Sequence, residues 1–414
     1  MKPPCVKTLL RAAWVAPMDR PLIRDGAILF QGGTILDVGD ATLLWRHHPD
    51  AEIIDCPGEI ILPGLINAHT HLELSEFACC SPPASFVDWI TQLVPRGQVN
   101  LQSIHESVAR SIPIGVAQCM RFGVTAVGDI SRHCTVSRPL LQNGPLRVIS
   151  YGEVQAMAQR RMFLEGRMQA ATDPIFESEF VRIAISPHAP YSVELNGYRR
   201  CIELATSRGL PLATHLAETP DEALFLANHS GRFRELWNAL GAWDDDVARF
   251  AGGPIRFAAH VGLLDYERTL LAHVNYCDDD EMDLLARGKA SVVYCPRTHA
   301  YFGHPPHRWR DMLARGINLA IGTDSCASSP DLNLIEELRL VRRVTPEFPA
   351  IELWKMATIH AARAIDMQNR IGAIRAGLAA DFVAFRAIGD DPLESILRES
   401  VLPTKVWIGG TSVG

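Results

Sequence analysis

The sequence of 414 residues is poor in lysine, in paired cysteine motifs and in long apolar runs. Only five of its 40 basic residues are lysine, and none lies between Lys7 and Lys289, which excludes lysine chemistry from that span. The ten cysteines include no C-x-x-C pair, so we expect reduced thiols instead of a disulfide scaffold. No apolar run approaches the ~18 residues that a membrane helix needs. These absences together predict a cytoplasmic globular protein without a membrane segment.

Charge and composition exclude two further classes. The net charge of −7 argues against a nucleic-acid partner, which calls for a basic surface. Hydrophobic residues make up 47% and charged residues 21% of the chain, and this balance excludes a largely disordered protein. The length allows two or three average domains or one large barrel with an appendage.

Short apolar runs alternate with longer helical stretches through the middle of the chain, a pattern typical of repeated βα units. Eight candidate strands can be counted, at residues 60–66, 124–129, 147–154, 181–186, 212–215, 270–274, 290–295 and 318–323. Both ends of the chain instead consist of strand-like runs with glycine-rich turns. The pattern predicts an α/β fold: a distorted (β/α)8 TIM barrel over residues 61–370, with a small β-sandwich built from residues 1–60 and 371–414.

Several candidate strands end in residues that bind metals. His69 and His71 follow the first run, His215 ends the fifth, and Asp324 follows the eighth. Catalytic residues of such barrels gather at the carboxyl ends of the strands, and alternate residues of a strand share one face. We therefore expect these four side chains to converge. Three imidazoles and one carboxylate suit zinc or ferrous iron, and the choice between the two ions stays open.

The segments around these residues carry a family resemblance. Residues 62–71, LPGLINAHTH, resemble the first-strand signature of the amidohydrolase superfamily, and residues 215–219, HLAET, are similar to the fifth-strand motif of its deaminase and triazine-hydrolase branch. Three further segments fall where that branch has its sixth-, seventh- and eighth-strand motifs: AH at 272–273, CP at 295–296 and GTDS at 322–325. The branch includes deaminases of S-adenosylhomocysteine, guanine, cytosine and aminofutalosine.

The resemblance implies a hydrolase that acts on carbon–nitrogen bonds other than peptide bonds. In such enzymes a metal-bound hydroxide attacks an aminated heterocycle, and ammonia leaves. Asp324 would bind the metal and accept the proton of the water, Glu218 would protonate a ring nitrogen, and His273 would hydrogen-bond the attacking water. Binuclear relatives need a bridging lysine on the fourth strand, and this chain has none there. We therefore expect one zinc ion, or alternatively one iron ion. Its ligands would be His69, His71, His215 and Asp324.

Several other residues near the predicted barrel mouth have alternative roles or a proposed contact to the substrate. His188 is expected to contact the substrate. Trp89 either stacks on the heterocycle or packs its own loop, and Glu73 either binds ribose hydroxyls or caps a helix. Glu153, at the end of the third strand, is a bridging ligand or, more simply, a polar strand-end residue or a substrate contact. No role follows from the sequence for Arg297 and His299.

The substrate predicted from these features is a small heterocycle, in particular a purine nucleoside derivative of the 5′-modified adenosine or aminofutalosine type. Resemblance alone suggests a homodimer. One alternative keeps the metal but hydrolyses a cyclic amide, or an aryl chloride or amine on a triazine-like ring. A more distant alternative is a non-catalytic barrel that serves as a scaffold.

Overall fold

The computed structural model describes residues 6–79, 85–93 and 100–413. Within them the chain forms an eight-stranded parallel sheet and a separate seven-stranded sheet. The eight-stranded sheet consists of β5 (Leu65–Thr70), β6 (Val124–Ser131), β7 (Arg147–Val154), β8 (Val181–Pro187), β9 (Leu212–Leu216), β10 (Thr269–His273), β11 (Ser291–Tyr294) and β12 (Leu319–Ile321). Its strands pair in chain order from β5 to β12.

An isolated parallel bridge between Thr70 and Asp324 joins the two ends of this sheet and closes it into a barrel. One buried cluster takes alternate residues from all eight strands, for example Leu270 and Ala272, and fills the interior. The residue between them, Leu271, belongs to a second cluster that the surrounding helices share. The alternation is that of strands buried on both faces. The predicted (β/α)8 barrel is therefore confirmed.

The helices lie between the strands in sequence, and most of them pack around the barrel, whereas the first packs on the separate seven-stranded sheet. They are α1 (Ala41–His47), α2 (Phe86–Leu93), α3 (Leu101–Arg121), α4 (Cys134–Leu141), α5 (Leu164–Ala171), α6 (Leu195–Arg208), α7 (Pro220–Asn228), α8 (Arg232–Ala239), α9 (Gly253–His260), α10 (Asp279–Arg287), α11 (Pro296–Tyr301), α12 (Trp309–Ala314), α13 (Leu334–Val344), α14 (Ala350–Met356), α15 (Ile359–Ala364) and α16 (Pro392–Arg398). Among the described residues, no helix has both the length and the apolar character needed to cross a bilayer.

The seven-stranded sheet is built from both ends of the chain, as predicted. Its strands are β1 (Thr8–Val15), β2 (Ile23–Gln31), β3 (Thr34–Asp40), β4 (Glu52–Pro63), β13 (Phe382–Arg386), β14 (Lys405–Ile408) and β15 (Thr411–Ser412). Strand β4 lies between β1, to which it is parallel, and β13, to which it is antiparallel. We call this the terminal sheet.

One predicted strand is wrong in its bounds. The run 60–66 is divided between two sheets, because β4 ends at Pro63 in the terminal sheet and β5 begins at Leu65 in the barrel. Gly64 lies at the change, where a Cβ atom would come within 2.2 Å of the Thr125 hydroxyl oxygen. Both segments are buried, so hydrophobicity alone could not mark the boundary between them.

The barrel and the terminal sheet are joined by a buried ion pair. Arg147, at the start of β7, donates from Nε and Nη2 to the two carboxylate oxygens of Asp381, at 2.6 and 3.0 Å. The backbone N–H of Gly409 donates to the same carboxylate at 2.7 Å. We call these three residues the joint. It lies at the amino-terminal ends of the barrel strands, away from the predicted metal ligands.

Candidate active site

The four predicted metal ligands meet at the carboxyl-terminal mouth of the barrel. The Oδ1 atom of Asp324 lies 3.7 Å from Nε2 of His69 and 3.5 Å from Nε2 of His71. The Nε2 atoms of His71 and His215 are 3.3 Å apart. Two overlapping groups of potential donor atoms, each within 4.8 Å, include all four residues and also His273.

The chemistry of this donor set fits a divalent metal. His69 is fully buried, and neither of its ring nitrogens has a hydrogen-bond partner among the described residues. A buried polar atom without a partner is costly, and a cation that takes the nitrogen lone pair removes that cost. Burial lowers the pKa values of His69 and His71 well below the ordinary value for histidine, and it lowers the pKa of His215 to about 4. The three rings are therefore neutral, as imidazole ligands of a metal must be.

Neighbouring groups fix the orientation of the ligands. The Nδ1 atom of His215 donates to the carbonyl oxygen of His188 at 3.0 Å, which leaves Nε2 as the free lone pair. Ser328 donates to Oδ2 of Asp324 at 3.0 Å, so Oδ1 remains for the metal. A Cβ atom at residue 322 would lie 2.8 Å from the carbonyl oxygen of His69, and only glycine allows this close approach of β12 to β5.

Glu218 and His273 lie beside the metal ligands. Oε1 of Glu218 is 3.3 Å from Nε2 of His273, and Oε2 accepts a hydrogen bond from the Tyr191 hydroxyl at 3.3 Å. Burial, together with the charge of Asp324, raises the pKa of the Glu218 carboxyl well above its ordinary value. A carboxyl whose pKa is raised holds its proton to higher pH than an ordinary carboxyl does, and such a group is suited to act as a general acid.

The backbone at the mouth is strained at four residues other than glycine. The φ values are 49° at Ala217, 74° at His273, 51° at Val274 and 56° at Asp324. These values lie in the left-handed region, which residues other than glycine seldom adopt. All four follow or end barrel strands that carry candidate catalytic groups. Strain of this kind persists only where surrounding contacts enforce it, and it is common at functional sites.

His188 lies within the same mouth. Its ring centroid is 4.9 Å from that of His215, and its Nδ1 atom is 2.6 Å from the Ser192 hydroxyl. Oε2 of Glu153 is 3.9 Å from Nε2 of His188, and Oε1 accepts a hydrogen bond from Gln155. Glu153 is not in either group of potential metal donors found among the described residues. Its contacts are those of a polar strand-end residue.

The two remaining predicted substrate contacts are held by protein groups. Glu73 is buried, and its carboxylate accepts hydrogen bonds from the Ser131 hydroxyl and from the backbone N–H groups of Arg132 and His133, at the start of α4. These are the contacts of the capping alternative. Trp89 donates from Nε1 to the carbonyl oxygen of Ala327 at 3.1 Å and packs edge-on against Phe302.

The segment after β11 provides structural contacts. Arg297 forms ion pairs with Asp331 and with the fully buried Glu337, and so ties α11 to α13. His299 donates from Nε2 to the carbonyl oxygen of Pro305 at 2.9 Å. Neither side chain belongs to the groups of potential metal donors found in the described part of the chain.

Sequence reasoning did not assign a role to Tyr191 or Ser328, which contact Glu218 and Asp324 directly. Their positions in the sequence could have suggested these contacts. Tyr191 follows the fourth strand closely, and Ser328 lies four residues after Asp324. Hydroxyl residues are too common for such spacing alone to single them out.

Comparison with known proteins supports the same interpretation. The model of the amidohydrolase family matches residues 60–413, which is most of the chain. The chain belongs to the amidohydrolase family. As a member of this family it is a hydrolase that acts on carbon–nitrogen bonds other than peptide bonds, and the predicted superfamily and branch are confirmed.

Several relatives of this amidohydrolase have named activities. A 5-methylthioadenosine/S-adenosylhomocysteine deaminase of Nitratidesulfovibrio vulgaris is 30% identical over 404 residues, which cover 92% of this chain and 84% of the relative. An aminodeoxyfutalosine deaminase of Deinococcus radiodurans is 30% identical over 339 residues, or 78% of this chain and 77% of the relative. The crystal structure of an adenosine deaminase from Xanthomonas campestris with bound zinc has the same fold, with a TM-score of 0.82 at 23% identity over 99% of this chain and 93% of that one.

Proposed function

We propose that this amidohydrolase is a metal-dependent deaminase that converts an adenosine derivative modified at the 5′ position to the corresponding inosine derivative and ammonia. The observation that carries the proposal is the position of Glu218. Its buried carboxyl lies 3.3 Å from His273, beside Asp324 and the histidine cluster. Deamination of a purine requires protonation of a ring nitrogen, and a protonated carboxyl at this point can supply that proton. The relatives named for deamination of adenosine derivatives support this reaction.

One metal ion, held by His69, His71, His215 and Asp324, is the second part of the proposal. When bound, a divalent ion lowers the pKa of a water molecule toward ~7 and so provides a nucleophile at neutral pH. Zinc is favoured because of the nitrogen-rich donor set and because a structural neighbour is described with bound zinc. A single ion is favoured because the span around the fourth strand has no lysine to bridge two metals and Glu153 lies outside the donor groups.

The side chains divide the proton transfers between them. Asp324 can accept the proton of the nucleophile, while the hydrogen bond from Ser328 to Oδ2 fixes the orientation of its carboxylate. Glu218 would donate a proton to the ring nitrogen, and the proton that Asp324 took from the water would pass to the leaving amine. The Glu218 carboxylate would then regain a proton from the hydroxyl group that becomes the product carbonyl. His273, whose pKa is lowered by burial, is a neutral group that would hydrogen-bond the oxygen of the attacking water. His188 and Trp89 are the proposed contacts to the rest of the nucleoside.

A substrate panel tests this function. The zinc-loaded protein is assayed for ammonia release from 5′-methylthioadenosine, S-adenosylhomocysteine, aminodeoxyfutalosine, adenosine, guanine and cytosine, and its metal content is measured by elemental analysis. We expect one equivalent of zinc per chain and turnover of at least one 5′-modified adenosine, with the free bases inactive.

Glu218→Gln is the matched variant, since it keeps the size of the side chain and removes its proton-transfer function. It should retain zinc and lose deamination. Absence of turnover on every aminated compound by protein that contains zinc would overturn the proposal. Full activity of Glu218→Gln would instead favour hydrolysis of a group whose departure needs no ring protonation.

A further inference from the structure

The peptide group of Glu218 is held on both sides by buried side chains. Its N–H donates to Oε2 of Glu222 at 3.1 Å, and its carbonyl oxygen accepts a hydrogen bond from Nδ2 of Asn275 at 3.0 Å. Glu222 lies on α7 and is fully buried, whereas Asn275 follows β10. Two elements distant from each other in sequence therefore fix the backbone of one candidate catalytic residue.

The contact made by Glu222 differs from an ordinary helix cap. At the start of α10, Glu281 is the third helical residue and accepts a hydrogen bond from the backbone N–H of the N-cap residue Asp278 at 3.0 Å, as part of a capping box. Glu222 has the same third position in α7, whose N-cap is Thr219. Its carboxylate, however, binds the N–H of Glu218, one residue before that cap.

The hydrogen bond from the Glu218 backbone to Glu222 lies next to strained backbone at Ala217. Ala217, directly before Glu218, has a φ of 49°, which reverses the chain between β9 and α7. A residue other than glycine in this region needs outside contacts to hold it there. Glu222 provides such a contact at the next peptide, and the remaining oxygen of Glu222 has no hydrogen-bond partner among the described residues.

We propose that Glu222 is a positioning residue for deamination, acting through its hydrogen bond to the Glu218 backbone to hold the Glu218 carboxyl against His273 and the substrate. This inference rests on the proposed function, in which Glu218 is the proton donor. A misplacement of a catalytic group by ~1 Å can cost about 10²-fold in rate, so the contact has a measurable kinetic consequence.

Glutamine is a suitable mimic for Glu222. Burial raises the pKa of Glu222 to about 8, so the native side chain is largely neutral at pH 7. A glutamine has the same length and keeps a carbonyl oxygen that can accept the N–H of Glu218, whereas alanine has no acceptor and aspartate is one methylene too short.

The experiment compares Glu222→Gln, Glu222→Asp and Glu222→Ala in the full-length, zinc-loaded protein. We expect Glu222→Ala and Glu222→Asp to lower kcat by about 10²-fold with KM changed little, and Glu222→Gln to recover most of kcat. Hydrogen–deuterium exchange of the peptide that contains Glu218 should be faster in the alanine and aspartate variants and close to wild type in the glutamine variant. Glu281→Ala removes the same kind of contact from α10 and should leave kcat unchanged.

The outcomes separate this inference from the proposed function. If wild-type protein deaminates no compound, the proposed function fails, while the exchange data still test the contact. If wild-type protein is active but Glu222→Ala keeps its kcat, or Glu222→Gln is as impaired as Glu222→Ala, the positioning role is wrong. A loss of kcat in Glu281→Ala equal to that in Glu222→Ala would mean that general destabilisation explains both, and would also overturn it.

Discussion

Two buried polar clusters of this protein differ in how their polar atoms are paired. In the joint, the guanidinium of Arg147 meets the carboxylate of Asp381 through two hydrogen bonds, and Gly409 adds a third to the same group. At the mouth of the barrel, the ring nitrogens of His69 lack partners and Asp324 is held in a strained backbone conformation. The ion pair of the joint is formed within the chain, although Nη1 of Arg147 lacks a hydrogen-bond partner among the described residues, whereas the donor atoms at the mouth fit a bound metal ion.

This difference predicts that substitutions in the two clusters have separable effects. Changes at the mouth should act on metal content and turnover. Changes at the joint should act on the free energy of unfolding and leave turnover by folded molecules intact. The following variants test the contrast, from the largest expected effect to the smallest.

Asp324→Ala removes one metal ligand and the proposed acceptor of the water proton together. We expect turnover to fall by about 10³-fold or more, because loss of a general base alone lowers the rate by about 10²–10⁴-fold. We also expect the zinc content to fall below one equivalent per chain. Steady-state kinetics and elemental analysis measure the two effects. Retention of both zinc and activity would mean that the mouth does not need this carboxylate.

Arg147→Met leaves Asp381 buried without its partner. We expect the free energy of unfolding to fall by about 3–5 kcal/mol, because the buried carboxylate loses its ion-pair partner. Urea denaturation measures this loss, and kcat of the folded protein should equal that of wild type. The double variant Arg147→Met with Asp381→Leu should recover much of the stability, since no unpaired charge then remains. A selective loss of kcat in Arg147→Met would contradict the separation of the two clusters.

Ser328→Ala removes the hydrogen bond to Oδ2 of Asp324. Groups that orient metal ligands contribute about 10–100-fold to metal affinity or activity, and we expect a loss of that size. Titration of zinc into metal-free protein and kcat measure it. Ser329→Ala is the matched control, because Ser329 binds the carbonyl oxygen of Thr323 instead of the carboxylate. Equal losses in both variants would show that packing, not orientation of Asp324, is responsible.

Arg11→Ala removes an exposed ion pair from the terminal sheet, in which Nε of Arg11 lies 2.7 Å from Oδ1 of Asp55. Exposed pairs contribute at most about 1 kcal/mol, so the change in unfolding free energy should lie below that of Arg147→Met. Urea denaturation at low and high salt is the measurement. A loss as large as that of Arg147→Met would mean that burial does not explain the strength of the joint.

The sequence was sufficient to predict the barrel because its strands repeat the same local pattern and several of them end in a metal-binding or ionisable residue. The candidate ligands His69 and His71 were predicted to share a face from their spacing alone, and the structure brings both to the mouth. The division of residues 60–66 between two sheets was not predictable, since Pro63 and Leu65 are equally buried and apolar.

The supporting contacts of the site depend on distances that local patterns do not encode. Glu222 looks like an ordinary first-turn acid of a helix, and only the folded chain shows that it binds the peptide of Glu218. Tyr191 reaches Glu218 from the segment after the neighbouring strand. Such contacts arise from tertiary packing, which one sequence cannot specify by spacing.

The place of β4 in the terminal sheet has a consequence for synthesis on the ribosome. Its neighbour β1 is made before it, but β13, which pairs with its other edge, is made only after the whole barrel. An unpaired edge of a long apolar strand attracts other chains. Throughout translation of the barrel the nascent chain therefore carries an open edge, and chaperone demand should be greatest in that interval.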